Sequence, residues 1–136
     1  MSSSSPSLKH ELRTPLNHII GYCEMLIEEV GDVDGDERAE LLADLQRIHG
    51  AGRRLLGVIN DLFDESIPEN ERLDESHVHH EIRTPLNQII GYAELLLEDA
   101  VANGDEAGAA DLGKIHFAAK SLLELVMANF DSGRFA

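Results

Sequence analysis

One eight-residue segment occurs twice in this chain of 136 residues. Residues 10–17 read HELRTPLN and residues 80–87 read HEIRTPLN, so the copies differ at one position and lie 70 residues apart. The agreement extends further, because residues 10–29 and 80–99 are identical at 14 of 20 positions and residues 41–64 and 108–131 at 10 of 24. The chain is therefore an internal duplication, and its fold must be built from two similar units.

Each unit contains two stretches in which apolar residues recur every three or four positions, as they do on one face of an α-helix. The spacing predicts a first helix from about Ser7 to Val30, then a turn at residues 31–36 whose glycines and aspartates offer an N-cap, then a second helix ending near Asp64. A connector at residues 67–70 contains Pro68, which cannot continue a helix interior. The second unit repeats the pattern, with a turn at residues 103–105. The four predicted apolar stripes are Leu12, Leu16, Ile19, Ile20, Cys23, Ile27 and Val30; Leu41, Leu45, Ile48, Gly52, Leu55, Ile59 and Leu62; Ile82, Leu86, Ile89, Ile90, Ala93, Leu97 and Ala100; and Leu112, Ile115, Ala119, Leu122, Val126 and Phe130.

A single helical hairpin cannot bury both of its apolar stripes, whereas two hairpins can bury them against each other. We therefore predict an all-α protein, an antiparallel four-helix bundle made of two tandem hairpins at residues 1–66 and 67–136. Aromatic residues make up only 4% of the chain, which favours helix packing over a sheet sandwich. Because one chain supplies all four stripes, we expect a monomer that internally resembles a dimer of hairpins.

The balance of charge restricts the possible partners. With 26 acidic and 11 basic residues the formal net charge is −15, which argues against nucleic acid and against an anionic membrane surface. No apolar run is long enough for a membrane span, and the amino terminus does not resemble a signal peptide, so the expectation is a cytoplasmic protein. The one cysteine, Cys23, lies at apolar spacing and is predicted to be buried and reduced.

The duplicated segment combines side chains suited to nucleophilic chemistry. His10 falls on the helix face opposite the apolar stripe and is predicted to be exposed, and a neutral imidazole is a good nucleophile near neutral pH. Glu11 can hold the proton of the other ring nitrogen, and Thr14 lies one turn from His10, where its hydroxyl can orient a water or a phosphoryl oxygen. Pro15 leaves one helix carbonyl without its N–H partner and is predicted to bend the helix. The second copy supplies His80, Glu81, Thr84 and Pro85.

Both copies resemble the H-box of the dimerisation-and-histidine-phosphotransfer domain of HisKA-type sensor histidine kinases. The resemblance continues through the Gly-Tyr pairs at residues 21–22 and 91–92 and into LLGVINDL at residues 55–62, so it covers about residues 8–65 and 78–131. It implies that His10 and His80 are phospho-accepting histidines. It further implies that Glu11 and Glu81 assist phosphoryl transfer, and that Thr14 and Thr84 serve dephosphorylation of a partner.

The chain departs from the family by lacking anything that resembles its ATP-binding domain or a receiver domain. We therefore expect no autophosphorylation from ATP by this chain alone and no cofactor bound to it. ATP and Mg would belong to a separate kinase domain or to a receiver partner. The resemblance implies a response-regulator receiver domain as partner, with a histidine kinase ATP-binding domain as a second candidate. Lys9 precedes His10 whereas His79 precedes His80, so a receiver docked across the two helices of a hairpin should bind the two sites unequally.

Three functions remain open. The first is a phosphotransfer module of a two-component phosphorelay, the second is the catalytic bundle of a larger histidine kinase, and the third is a scaffold for dimerisation or signal transmission whose chemistry has lapsed. His77, His79 and His80 cluster at the start of a helix without a clear fourth ligand, so we interpret them as a solvated cluster and predict no metal site. His49 and His116 match between the units and are predicted to lie at the seam of the bundle.

Overall fold

The computed structural model describes residues 4–31, 35–71 and 75–130, and four long helices account for most of them. They are α1 (Ser4–Gly31), α2 (Asp36–Leu62), α3 (Glu75–Ala102) and α4 (Glu106–Phe130). A short 3₁₀ turn at Glu69–Glu71 lies in the connector between the two hairpins. The described residues contain no β-strand, so the predicted all-α class is confirmed.

Each helix packs against its neighbours in the chain, and α1 also packs against α4, which closes the ring. The result is the predicted antiparallel bundle of two hairpins. The apolar stripes meet at its centre, with 0% exposure for Leu16, Leu55, Leu86 and Leu122, one from each helix. Burying one such side chain contributes about 1.5–3 kcal/mol, so this shared core is the main source of the fold's stability.

The predicted stripes are confirmed apart from their margins. The half-buried members are Ile27, Leu41, Leu62, Ile90 and Leu97. The side chain of Phe130 lies outside the described residues. In α2 the stripe includes Gly52, where an added Cβ would lie 3.1 Å from Cγ1 of Ile20. This short distance shows that α1 and α2 pack closely at Gly52. The equivalent position in α4 is the buried Ala119, which has a Cβ.

The two turns within the hairpins differ in how they start the following helix. Gly35 occupies the N-cap of α2 with φ 137° and no side-chain hydrogen bond, so of the glycines and aspartates predicted to offer an N-cap here a glycine does so. A positive φ of this size favours glycine over a residue with a Cβ. Residues 32–34 of that turn lie outside the described residues. In the other hairpin the predicted turn at 103–105 is confirmed, and Asp105 Oδ1 accepts a hydrogen bond from the Gly108 N–H at 3.0 Å.

Equivalent contacts relate the two hairpins. The guanidinium of Arg47 on α2 lies 5.8 Å from the ring centre of Tyr92 on α3, and the amine of Lys114 on α4 lies 5.5 Å from the ring centre of Tyr22 on α1. Each second helix therefore places a cation over a tyrosine of the other hairpin. Among the described residues, no helix has both the length and the apolar composition required to span a bilayer.

Candidate functional site

Both duplicated histidines are exposed, as their spacing predicts. His10 lies near the start of α1 and His80 near the start of α3, opposite the buried faces of those helices. Because α1 and α3 run in the same direction, the two imidazoles lie at the same end of the bundle. A large partner can therefore approach either ring without displacing the core.

The glutamates and threonines next to these histidines are also exposed. Among the described residues, the threonine hydroxyls form hydrogen bonds to the histidine backbone, whereas the glutamates form none to the histidine rings. The Thr14 hydroxyl donates a hydrogen bond to the backbone carbonyl of His10 at 2.8 Å, and Thr84 does the same to His80 at 3.2 Å. In this rotamer the hydroxyl proton is engaged by the helix, and the oxygen is left to accept a hydrogen bond from water. Within the described part of the chain, no hydrogen bond joins Glu11 to the His10 ring or Glu81 to the His80 ring.

The prolines that follow the histidines lie within continuous helices. Pro15 is inside α1 and Pro85 is inside α3, so the carbonyls of Glu11 and Glu81 have no N–H donor four residues later. The two prolines differ in burial, because Pro15 is half-buried whereas Pro85 is buried. The predicted bend at each proline stays a prediction.

A groove of about 730 Å³ extends from His10 along the seam between α1 and α4. From His10 to Tyr22 it covers about 18 Å, at roughly 1.5 Å of rise per residue. Its α4 wall includes Phe117, which is 74% exposed, and Lys114, whose amine lies over the Tyr22 ring. The groove thus joins a candidate nucleophile to an apolar surface supplied by the other hairpin.

Two histidine–glutamate pairs connect the helices within the hairpins. Nε2 of His49 lies 2.9 Å from Oε2 of Glu24, and Nε2 of His116 lies 2.9 Å from Oε2 of Glu94. Both histidines are half-buried, which confirms their predicted position at the seam. The sequence prediction missed their partners, although Glu24 and Glu94 occupy matching positions of the two units. Both pairs lie several helical turns from the H-boxes. Each pair links the two helices of its own hairpin.

Cys23 is fully buried in the core, as predicted. Burial raises the pKa of its thiol to about 12, and the neighbouring charge of Glu24 adds to the shift. A thiol held in its protonated form is a poor nucleophile. Cys23 is therefore a packing residue.

The comparisons with known proteins agree with the H-box geometry. Residues 5–71 and 76–131 each match the His Kinase A (phospho-acceptor) domain, so nearly the whole chain is covered by two copies. No solved structure gave a significant match to the chain.

Curated relatives match shorter stretches. The chain is 43% identical over 60 residues to the Non-motile and phage-resistance protein of Caulobacter vibrioides, which covers 44% of this chain and 7% of that protein. It is 36% identical over 92 residues to the Cell-division control histidine kinase PdhS of Brucella ovis, and equally so to that of Brucella suis, covering 67% of this chain and 8% of each relative. The chain thus spans less than a tenth of the length of these relatives. With a phospho-acceptor match on each hairpin and an exposed H-box histidine in each match, the chain belongs to the His Kinase A (phospho-acceptor) domain family.

Proposed function

We propose that this chain is a histidine phosphotransfer module of two-component signalling. It carries phosphoryl groups on His10 and His80 to or from the aspartates of response-regulator receiver domains. The observation that supports this most strongly is the exposure of both H-box histidines at one end of a single bundle. A surface that presents two nucleophiles on rigid helices suits exchange with a separate protein.

The proposed transfer needs little from the chain beyond an accessible imidazole. The ring nitrogen that carries no proton attacks the phosphorus of a receiver's aspartyl phosphate and forms a P–N bond. The P–O bond to the aspartate breaks, and its electron pair leaves with the carboxylate. The proton on the other ring nitrogen stays on the ring or passes to water, so the histidine needs no added oxidant or reductant. The reverse steps return the phosphoryl group to an aspartate.

The glutamate and the threonine have separate proposed roles. Glu11 and Glu81 supply a negative charge next to the ring, which favours the imidazolium that forms during attack. Thr14 and Thr84 accept a hydrogen bond from water in the observed rotamer, which suits orientation of a water during dephosphorylation of a partner. We further propose that the chain works as a monomer, because its four apolar stripes are already buried against one another.

A second candidate is the phospho-accepting bundle of a larger histidine kinase. It is favoured by the match to PdhS, a much longer protein that is named a histidine kinase. In that case ATP and Mg²⁺ would be positioned by a separate ATP-binding domain, since phosphoryl transfer from a nucleotide needs a site that holds both.

The proposal is tested by mixing the chain with a receiver domain that has been charged with acetyl phosphate. We expect the receiver to lose its phosphoryl group and this chain to gain one, as measured by intact mass at neutral to alkaline pH, where phosphohistidine survives. The control is the chain with ATP and Mg²⁺ alone, which should stay unmodified. Label gained only when an isolated kinase ATP-binding domain and ATP are added would favour the second candidate. No label under any of these conditions would contradict both.

A further inference from the structure

The surfaces beside the two histidines differ in character. The groove beside His10 is walled by α4, and its lining includes one acidic and one basic side chain, Glu11 and Lys114. In a chain in which 27% of residues are charged, this is a stretch of low charge. Phe117 lines it and is 74% exposed. Aromatic side chains are enriched in protein interfaces, and covering this ring next to an apolar groove would gain free energy.

The equivalent seam beside His80 lies between α3 and α2, and the duplication identifies its matching residues. Gly50 takes the place of Phe117, so the aromatic ring is absent there. Arg54 takes the place of Ser121, and its Nη1 lies 3.4 Å from Oε1 of Gln88 on α3. Gln88 in turn takes the place of His18. A cationic side chain thus crosses the α2–α3 seam, and Pro85 is buried where Pro15 is only half-buried.

We propose that the α1–α4 groove is a docking surface for a receiver whose surface around the phosphorylatable aspartate is apolar, and that Arg54 and Gln88 close the α2–α3 seam to the same receiver. The receiver then docks across helices of different hairpins rather than across the two helices of one hairpin, as the sequence led us to expect. His10 is the acceptor for such a partner, and His80 is served poorly by it. This inference rests on the proposed function and names the partner chemistry and the residues that select it.

The identity of the occupant follows from continuity and charge. The groove begins at His10, so any protein that brings a carboxyl group to that ring also covers the surface next to it. Because this chain carries a net charge of −15, an acidic partner surface is repelled on balance, whereas an apolar partner surface is not. Contact with Phe117 favours such an apolar surface, whereas Arg54 must give up water and its contact with Gln88 before an apolar surface can cover it.

The test compares two single-acceptor variants, His80→Gln, which leaves His10, and His10→Gln, which leaves His80. Each is mixed with the same acetyl-phosphate-charged receiver, and the rate of phosphohistidine formation is followed by mass. We expect the rate at His10 to exceed that at His80 by about tenfold or more, the scale of one good interface anchor. The control donor is phosphoramidate, which is too small to contact the α1–α4 groove or the α2–α3 seam and should modify both histidines at similar rates.

Residues at matching positions of the α1–α4 groove and the α2–α3 seam are then exchanged, which makes the test specific to them. On the His80→Gln background, Ser121→Arg together with His18→Gln should slow transfer from the receiver to His10. On the His10→Gln background, Arg54→Ser should speed transfer to His80. Neither change should alter the rate with phosphoramidate, which also shows that each variant is folded and that its histidine is reactive.

Equal rates from the receiver at the two histidines, or exchanges that leave the rates unchanged, would overturn the inference. Failure of the proposed function is distinguishable. If the receiver modifies neither histidine, its binding in the unphosphorylated form is measured by calorimetry for the wild type and for Phe117→Ala. Binding weakened roughly tenfold by Phe117→Ala would support the docking surface without the transfer, on the same anchor scale. No binding, or binding unaffected by the change, would overturn it.

Discussion

The helices that carry the histidines have changed little between the two hairpins, whereas the helices that pack beside them have diverged. Residues 10–29 of α1 and 80–99 of α3 are identical at 14 of 20 positions, while residues 41–64 and 108–131, which include most of α2 and α4, share 10 of 24. The shared positions of the second helices are mostly buried or at the seam, such as Leu55 and Leu122. Their exposed positions differ most, as Gly50 and Phe117 show.

This difference separates two requirements of the molecule. The proposed chemistry depends on a histidine, a carboxylate and a hydroxyl within one turn and a half of a single helix, and both hairpins keep all three. The surface presented next to each histidine depends on a helix from the other hairpin, and there the two sides are unlike. The duplication therefore holds the reactive groups constant while the surroundings vary, which makes each hairpin a control for the other.

The largest effect is expected from removing both acceptors. His10→Gln and His80→Gln should each leave partial phosphoryl acceptance, and the double variant should leave none, because the H-box histidines are the proposed nucleophiles. The measurement is intact mass after treatment with a charged receiver and, separately, with phosphoramidate. The matched control is the double change His49→Gln and His116→Gln, which should keep acceptance. Acceptance that persists in the first double variant and disappears in the second would move the chemistry to the seam histidines.

Replacing the prolines should separate the two H-box helices in stability. An interior proline costs a helix about 3 kcal/mol relative to alanine, so Pro15→Ala should raise the free energy of unfolding by up to roughly that amount. Pro85→Ala should gain less, because the buried Pro85 ring loses packing when it is removed. Urea denaturation measures both. Each replacement should also remove the predicted bend and so change the rate of phosphoryl transfer, and unchanged rates in both variants would leave that bend without a functional role.

A smaller effect should distinguish the second helices. Ala119→Gly should lower the free energy of unfolding by about 1–2 kcal/mol, from the lost helix propensity and the lost buried methyl group. The reciprocal Gly52→Ala gains helix propensity but presses on Ile20 at 3.1 Å, so its net effect should stay within about 1 kcal/mol of zero. A gain above that range would mean that Ile20 moves aside freely and that α1 and α2 are not packed as closely as the contact indicates.

The smallest effect concerns Cys23, for which Ala93 in the second hairpin suggests the control Cys23→Ala. At pH 8 the folded protein should not react with Ellman's reagent, and the urea-unfolded protein should.

Because burial raises the pKa of the Cys23 thiol from 9.0 to about 12, the folded state keeps a proton that the unfolded chain releases. The thiol's contribution is thus present below pH 9 and is lost as the pH rises towards 12. Unfolding measured between pH 7 and 10 should show a loss in the wild type that exceeds the loss in Cys23→Ala. Equal losses would place the thiol in contact with water.

Much of this architecture could be predicted from sequence, because a duplication with apolar spacing determines the number of helices and their buried faces. Exposure of His10 and burial of Cys23 both follow from their positions relative to the stripe. Periodicity does not tell which helix of the other hairpin lies beside α1, since that depends on how the two hairpins turn and pack. The groove beside His10 and the position of Phe117 in it therefore could not be predicted from the sequence.

Local hydrogen bonds also required the structure. The spacing placed Thr14 on the same face as His10, but rotation about its side chain decides whether the hydroxyl points to the ring or to the backbone carbonyl, where it is found. Similarly, the turn at residues 31–36 offered both aspartates and glycines as N-caps, and a backbone with φ 137° selected Gly35.

The central claim is that one chain forms one bundle with two phospho-accepting faces. Native mass spectrometry of the wild-type chain after incubation with a charged receiver tests both parts together. The account predicts a single-chain species that carries at least one phosphoryl group, mapped by fragmentation to His10 in excess over His80. A two-chain species as the sole form, or a single chain that stays unmodified with every receiver tested, would contradict it.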